Sequence, residues 1–144
     1  LGKQGRANYP SENLAKEIYQ KWQNNPEVTQ GEPITWIAGD TWLIGNIIIN
    51  DRFNKGRSMK AWIEADDNQS PWLTSADKKK PLLILMDAIS TTTGQTWRGG
   101  HPPSQKVKEL YELAPVKGLI KIPWTSKQDA SPLMVQWAIL PSVE

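Results

Sequence analysis

The run Leu82-Leu83-Ile84-Leu85-Met86, ended by Asp87, constrains this chain more than any other feature. It is far too short to cross a bilayer, which takes about 20 apolar residues. It also lacks the alternation that would leave one face in water, so it reads as a central strand buried on both faces. A strand of that kind needs cover above and below, and therefore predicts a sheet between layers of helix. Short β-branched and aromatic segments at 34–38 and 59–63 read as further strands. Residues 119–124 and 133–139 read as two more, joined by a polar turn with Lys127, Gln128, Asp129 and Ser131.

Helical spacing fills the intervals. Leu14, Ala15, Ile18, Tyr19 and Trp22 share one face of a helix that opens at Pro10, Ser11 and Glu12 and stops at Asn24-Asn25-Pro26. Residues 27–33 read as a polar turn, 51–56 as another, and 64–70 as a polar loop. Leu43, Ile44, Ile47 and Ile48 define a second helix with Asp40 placed to cap it. A short helix is expected at 75–79. Val107, Leu110, Tyr111 and Ala114 define another, capped by Ser104 and ended before Pro115. The expected fold is an α/β, Rossmann-like sandwich: a mostly parallel sheet flanked by helices, with a C-terminal antiparallel hairpin.

The 144 residues suit one domain. Residues 1–8 carry no periodicity and read as a tail or linker, leaving 9–144 as a single α/β domain. Seventeen Lys plus Arg against 15 Asp plus Glu leave a net charge of +2, which offers no field for gripping nucleic acid. No apolar run spans a bilayer and no cleavable signal opens the chain, so an isolated fragment is expected to be soluble. With no Cys and one His, disulfides, a cysteine-ligated zinc and a Ser-His-Asp triad are all disfavoured. Neither a dinucleotide fingerprint nor a phosphate-binding Gly-Lys-Ser/Thr loop is present, so no cofactor is expected.

Several residues are candidates for chemistry, each with a plainer structural reading. Asp40 follows a predicted strand, where open α/β sheets gather ligands, and equally suits a helix cap. Trp42 and Asn46 share a face of the helix behind it. Glu64, Asp66 and Asp67 form a loop cluster suited to a hard cation or to acid/base work, and also to simple solvation. Ser70-Pro71-Trp72 aims Trp72 in a defined direction or plugs the core. Lys78-Lys79-Lys80 suits anionic headgroups or a solvated helix end. His101, between Gly100 and Pro102, reads as a loop residue. Of the eight Trp, those on helices and strands are expected in the core, and Trp97, in the long irregular segment 89–103, is expected to be the exposed one.

Taken together, Ala38-Gly39-Asp40-Thr41-Trp42-Leu43-Ile44-Gly45-Asn46, Ser70-Pro71-Trp72, the entry Asn8-Tyr9-Pro10, the strand at 82–86 and the closing Trp137-Ala138-Ile139-Leu140-Pro141 form a colinear pattern. This pattern resembles the C-terminal soluble domain of bacterial membrane glycosyltransferases of family 39, the group related to protein O-mannosyltransferases and the lipid A aminoarabinose transferase. The segment 89–103 departs from it. The resemblance implies an extracytoplasmic (periplasmic) domain of a larger protein. Its partner would be the protein's own N-terminal transmembrane bundle, which binds a polyprenyl-phosphate sugar and holds the catalytic acid.

On that reading no residue of this chain is catalytic, no metal is implied, and the domain positions the sugar acceptor or covers the membrane-embedded site. Asp40, Trp42, Asn46, Ser70 and Trp72 match the domain's motif. Together with Trp97 they are the candidate binding residues for a glycan or lipid-linked sugar. The alternatives are a carbohydrate- or protein-binding module using Trp72, Trp97 or Trp124, and a stand-alone hydrolase or transferase using Asp40 with Asp66 or Asp87.

Overall fold

The computed structural model describes residues 11–48, 59–87, 103–122 and 133–143. In chain order they form α1 (Ser11–Gln23), α2 (Pro26–Thr29), β1 (Trp36–Gly39), α3 (Thr41–Ile48), β2 (Lys60–Ile63), a 3-10 turn (Asp67–Gln69), α4 (Ser75–Lys78), β3 (Leu82–Asp87), α5 (Gln105–Leu113), β4 (Val116–Ile122) and β5 (Leu133–Leu140). The expected helices and strands are all present, with shifted ends. One difference is α2, which replaces part of the turn expected at 27–33. Pro26 supplies the fixed backbone angle of a first helical position, and Gln30 ends the helix in the left-handed region.

The strands form one sheet in the order β2-β1-β3-β5-β4. Leu82–Asp87 is buried along its whole length and lies in the middle, as its apolar run requires. The sheet is mixed, not mostly parallel: β1 pairs parallel with β2 and β3, whereas β5 pairs antiparallel with β3 and β4. The cause is β5, which inserts between β3 and β4 and runs against both.

Alternate strand residues feed two cores. Ile37, Leu83, Leu85, Val135, Trp137 and Ile139 face one side, where α1 contributes Leu14, Ile18 and Trp22 and α3 contributes Leu43, Ile44 and Ile47. Trp36, Ala38, Leu82, Ile84, Met86 and Ala138 face the other, covered by Val107 and Leu110 of α5. The sheet thus has helices on both faces.

Two glycines mark close approaches. A Cβ on Gly39 would stand 2.6 Å from the Leu85 carbonyl oxygen, so β1 and β3 lie together at their carboxyl ends only because that position is glycine. A Cβ on Gly118 would meet the Trp137 indole at 2.9 Å. Gly118 and its neighbours belong to β4, which begins at Val116, three residues before the apolar pattern suggests a strand. Glycine usually weakens a strand, and here it makes room for the facing tryptophan.

Candidate functional site

The parallel strands β2, β1 and β3 end side by side, and each is followed or closed by an acid: Glu64, Asp40 and Asp87. Asp40 caps α3. Its carbonyl accepts the Ile44 N–H at 3.1 Å and its Oδ1 accepts the Leu43 N–H at 2.9 Å, satisfying two groups of the first turn. Trp42 lies in the first turn of α3, and Asn46 lies one turn further on and is half-buried. Asp87 is buried at the end of β3.

Ser70 and Trp72 both act on β2. This strand is at the sheet edge, and the N–H groups of its Lys60 and of Glu64 just after it reach the carbonyls of Thr35 and Gly39 on the β1 side. Ala61 and Ile63, between them, point their backbone groups to the free side. The Trp72 indole N–H donates to the Ala61 carbonyl at 2.7 Å, and the Ser70 hydroxyl accepts the Ile63 N–H at 2.9 Å. Ser70-Pro71-Trp72 therefore seals the edge with side chains. Ser70 is buried, whereas Trp72 is 46% exposed.

Beside this corner, on the α5 side of the sheet, lies an open cleft of about 710 Å³. Its floor is Trp62, stacked on Trp36 with ring centroids 4.9 Å apart. The Trp62 indole N–H donates to Asp67 Oδ1 at 2.9 Å, and Lys78 Nζ donates to Asp67 Oδ2 at 2.8 Å while standing 5.7 Å over the Trp62 ring. The Lys78 hydrogen bond holds the Asp67 carboxyl below its ordinary range; it outweighs burial and is helped by Trp62 and the Lys106 charge. An ionised carboxylate of this kind is a weak base and a firm hydrogen-bond acceptor.

The rim is built by a tight turn and a helix start. Glu64 and Ala65 both have positive φ, 53° and 55°, and the Asp66 N–H returns to the Ile63 carbonyl at 2.9 Å, the pattern of a type I′ turn made without glycine. Ser104, the cap of α5, donates its hydroxyl to the Glu64 carbonyl at 2.9 Å and its N–H to Glu64 Oε1 at 3.2 Å. Ser104 and Glu64 are 40 residues apart, so this junction has no signature in local sequence.

The chain matches no family model, no curated protein and no solved structure.

The residues singled out by sequence thus separate. Asp40 and Asn46 belong to α3, Ser70 and Trp72 to the β2 edge, and none of them lines the cleft. Trp97, Trp124 and His101 lie outside the described residues. Among the described tryptophans, Trp22, Trp36, Trp62 and Trp137 are buried, as helix and strand positions suggest. The lysine triplet is largely neutralised at home: Lys78 pairs with Asp67, and Lys80 pairs with Glu32 at 2.9 Å. Glu64, Asp66 and Asp67 do line the cleft, but among the described residues no group of three or more His, Cys, Asp or Glu is placed to hold a metal ion. Sequence reading missed Gln69, Lys106 and the role of Lys78, which meet only through packing.

Proposed function

We propose that this chain is the extracytoplasmic domain of a membrane glycosyltransferase that uses a polyprenyl-phosphate sugar. The domain positions the sugar acceptor or covers the membrane-embedded site, and is not catalytic alone. One observation supports the reading: two of the motifs of the resemblance act on the adjoining strands β1 and β2. Asp40 caps the helix that leaves β1, and Ser70 with Trp72 closes the free edge of the adjoining β2. Each of these residues has an architectural task, and this supports kinship of fold more than a reaction centre.

The finer architecture fits the same reading. The parallel run β2-β1-β3, with α3 on one face and α5 on the other, supports a Rossmann-like description. The antiparallel pairing of consecutive β4 and β5 supports a closing hairpin. Among the described residues no helix is long and apolar enough to cross a membrane. On this proposal the N-terminal bundle of the same protein supplies the membrane spans, and the domain sits on its periplasmic side.

In the parent reaction a carboxylate of the membrane part takes the proton from the acceptor hydroxyl. The hydroxyl oxygen then bonds to the anomeric carbon as the bond to the lipid phosphate breaks, and the phosphate leaves with the electron pair. The cleft here suits binding better, because Asp67 is a weak base with both oxygens already engaged. The first test is the coding sequence upstream of Leu1. Repeated apolar spans of about 20 residues are expected; a start codon or a signal peptide directly before Leu1 would overturn the reading. The half-exposed Trp72 ring favours the second reading, a carbohydrate-binding module without catalytic partner, which that result would put first.

A further inference from the structure

The sheet has two edges, and they end differently. The β2 edge is closed by Ser70 and Trp72. At the other edge stands β4, which among the described residues pairs only with β5. In an antiparallel pair alternate residues turn their N–H and C=O groups away from the partner, so β4 presents a row of these groups outward. Among the described residues no backbone hydrogen bond reaches them.

The side chains of β4 define what an added strand would carry. Ile120 and Ile122 enter the core that α1 covers. Lys117, Leu119 and Lys121 alternate on the other face, and all three are exposed. Their cross-strand neighbours on β5, Ala138, Gln136 and Met134, carry no charge, and among the described residues neither lysine forms an ion pair. Lys117 Nζ donates to the Tyr111 and Glu112 carbonyls at 3.1 Å, which holds the last turn of α5 beside β4 and leaves the positive charge in place. Leu119 is 46% exposed, and Leu113, at the end of that turn, 71%. Apart from Trp72, these two are the exposed large hydrophobic residues among those described.

Lysines on an edge strand repel a second edge of the same kind. Two copies of β4 paired antiparallel about Leu119 would set Lys117 of each against Lys121 of the other, and like charges directly opposite destabilise a pair. Repulsion alone does not account for an exposed leucine between the two cations, whereas a strand of the opposite charge pattern uses all three side chains. We propose that the β4 edge takes up an extended acidic polypeptide segment as a further strand, with carboxylates opposite Lys117 and Lys121 and an apolar side chain on Leu119. Main-chain hydrogen bonds hold such a segment, and its alternate side chains select it. The docking stands on β4 alone and does not rest on the transferase reading.

The test is a titration of the ¹⁵N-labelled chain with a seven-residue peptide that has Glu at its second and sixth positions, Val at its fourth and Thr elsewhere. Backbone amides of β4 are expected to shift saturably, and alternate ones to exchange with solvent more slowly, while those of β2 stay unchanged. Methylating one alternate set of peptide amide nitrogens is expected to abolish binding, and methylating the other set to leave it intact, because only one set faces β4. Lys121→Ala is expected to weaken binding about twofold to fivefold with an unchanged thermal midpoint. Lys121→Glu is expected to reverse the preference toward a peptide with Lys in place of Glu. Silence of β4 at millimolar peptide, equal affinity for the Glu and Lys peptides, equal tolerance of both methylation patterns, or slowed β4 exchange that tracks protein concentration without peptide, which would make a second copy the occupant, would each overturn the proposal.

Discussion

The hydroxyl of Ser70 accepts the backbone N–H of Ile63 at 2.9 Å, standing where a neighbouring strand's carbonyl would stand. Two residues on, the Trp72 indole plays the donor's part toward Ala61, so three consecutive residues imitate a strand along the free side of β2. Exposed edges invite pairing with other chains, and this one is closed by side chains.

Ser70→Ala is therefore expected to destabilise the fold by about 1–3 kcal/mol, the cost of stranding a donor in a buried setting. Trp72→Phe, which keeps the ring and loses one hydrogen bond, is expected to cost about 1 kcal/mol. Urea unfolding measures both. A Ser70→Ala midpoint equal to that of the parent chain would show that water replaces the hydroxyl.

Asp40 separates capping from ligand chemistry through two substitutions. Asparagine retains the acceptor for the Leu43 N–H and alanine does not, so Asp40→Asn is expected to be close to neutral and Asp40→Ala to cost about 1 kcal/mol. Equal losses in thermal unfolding would mean that the charge itself matters.

Gly39→Ala tests the contact of β1 with β3. The added methyl would meet the Leu85 carbonyl, a backbone atom that cannot swing away, and the expected loss is about 1–3 kcal/mol. Gly31→Ala has open space at its Cβ but a φ of 71°, so its cost is backbone strain alone, about 1 kcal/mol. Comparing the two midpoints distinguishes a steric cost from a conformational one.

Acid should find Asp77. Burial pushes its carboxyl up, but hydrogen bonds from Lys60 and from the N–H and hydroxyl of Thr74 outweigh burial and hold it below the ordinary 3.8. A folded value below the unfolded one means stability that is complete above 3.8 and is lost as pH falls through the folded value. Asp67 adds to the same window with a smaller share, its side chain being 62% exposed. Urea midpoints are expected to fall as pH drops below 3.8, and less steeply in Asp77→Asn. A parallel fall in both proteins would assign the acid limb to other carboxylates.

What sequence alone determined is the set of elements. The apolar run of β3, the helical spacing of Leu14, Ile18 and Trp22, and the caps Asp40 and Ser104 are local properties, set by side-chain burial and by backbone groups within four residues. Tertiary structure decided which elements became neighbours. The insertion of β5 between β3 and β4 turned an expected mostly parallel sheet into a mixed one. The start of β4 at Gly118 and its neighbours depended on the Trp137 ring that it passes. The acids at 64–67 were visible as a loop cluster, but their partners Lys78, Ser104 and Lys106 arrive from two other elements. The physical reason is that caps and strand patterns are satisfied within a few residues of chain. A cleft is instead a property of surfaces that meet only after the chain has closed loops of tens of residues, and no periodicity records that meeting.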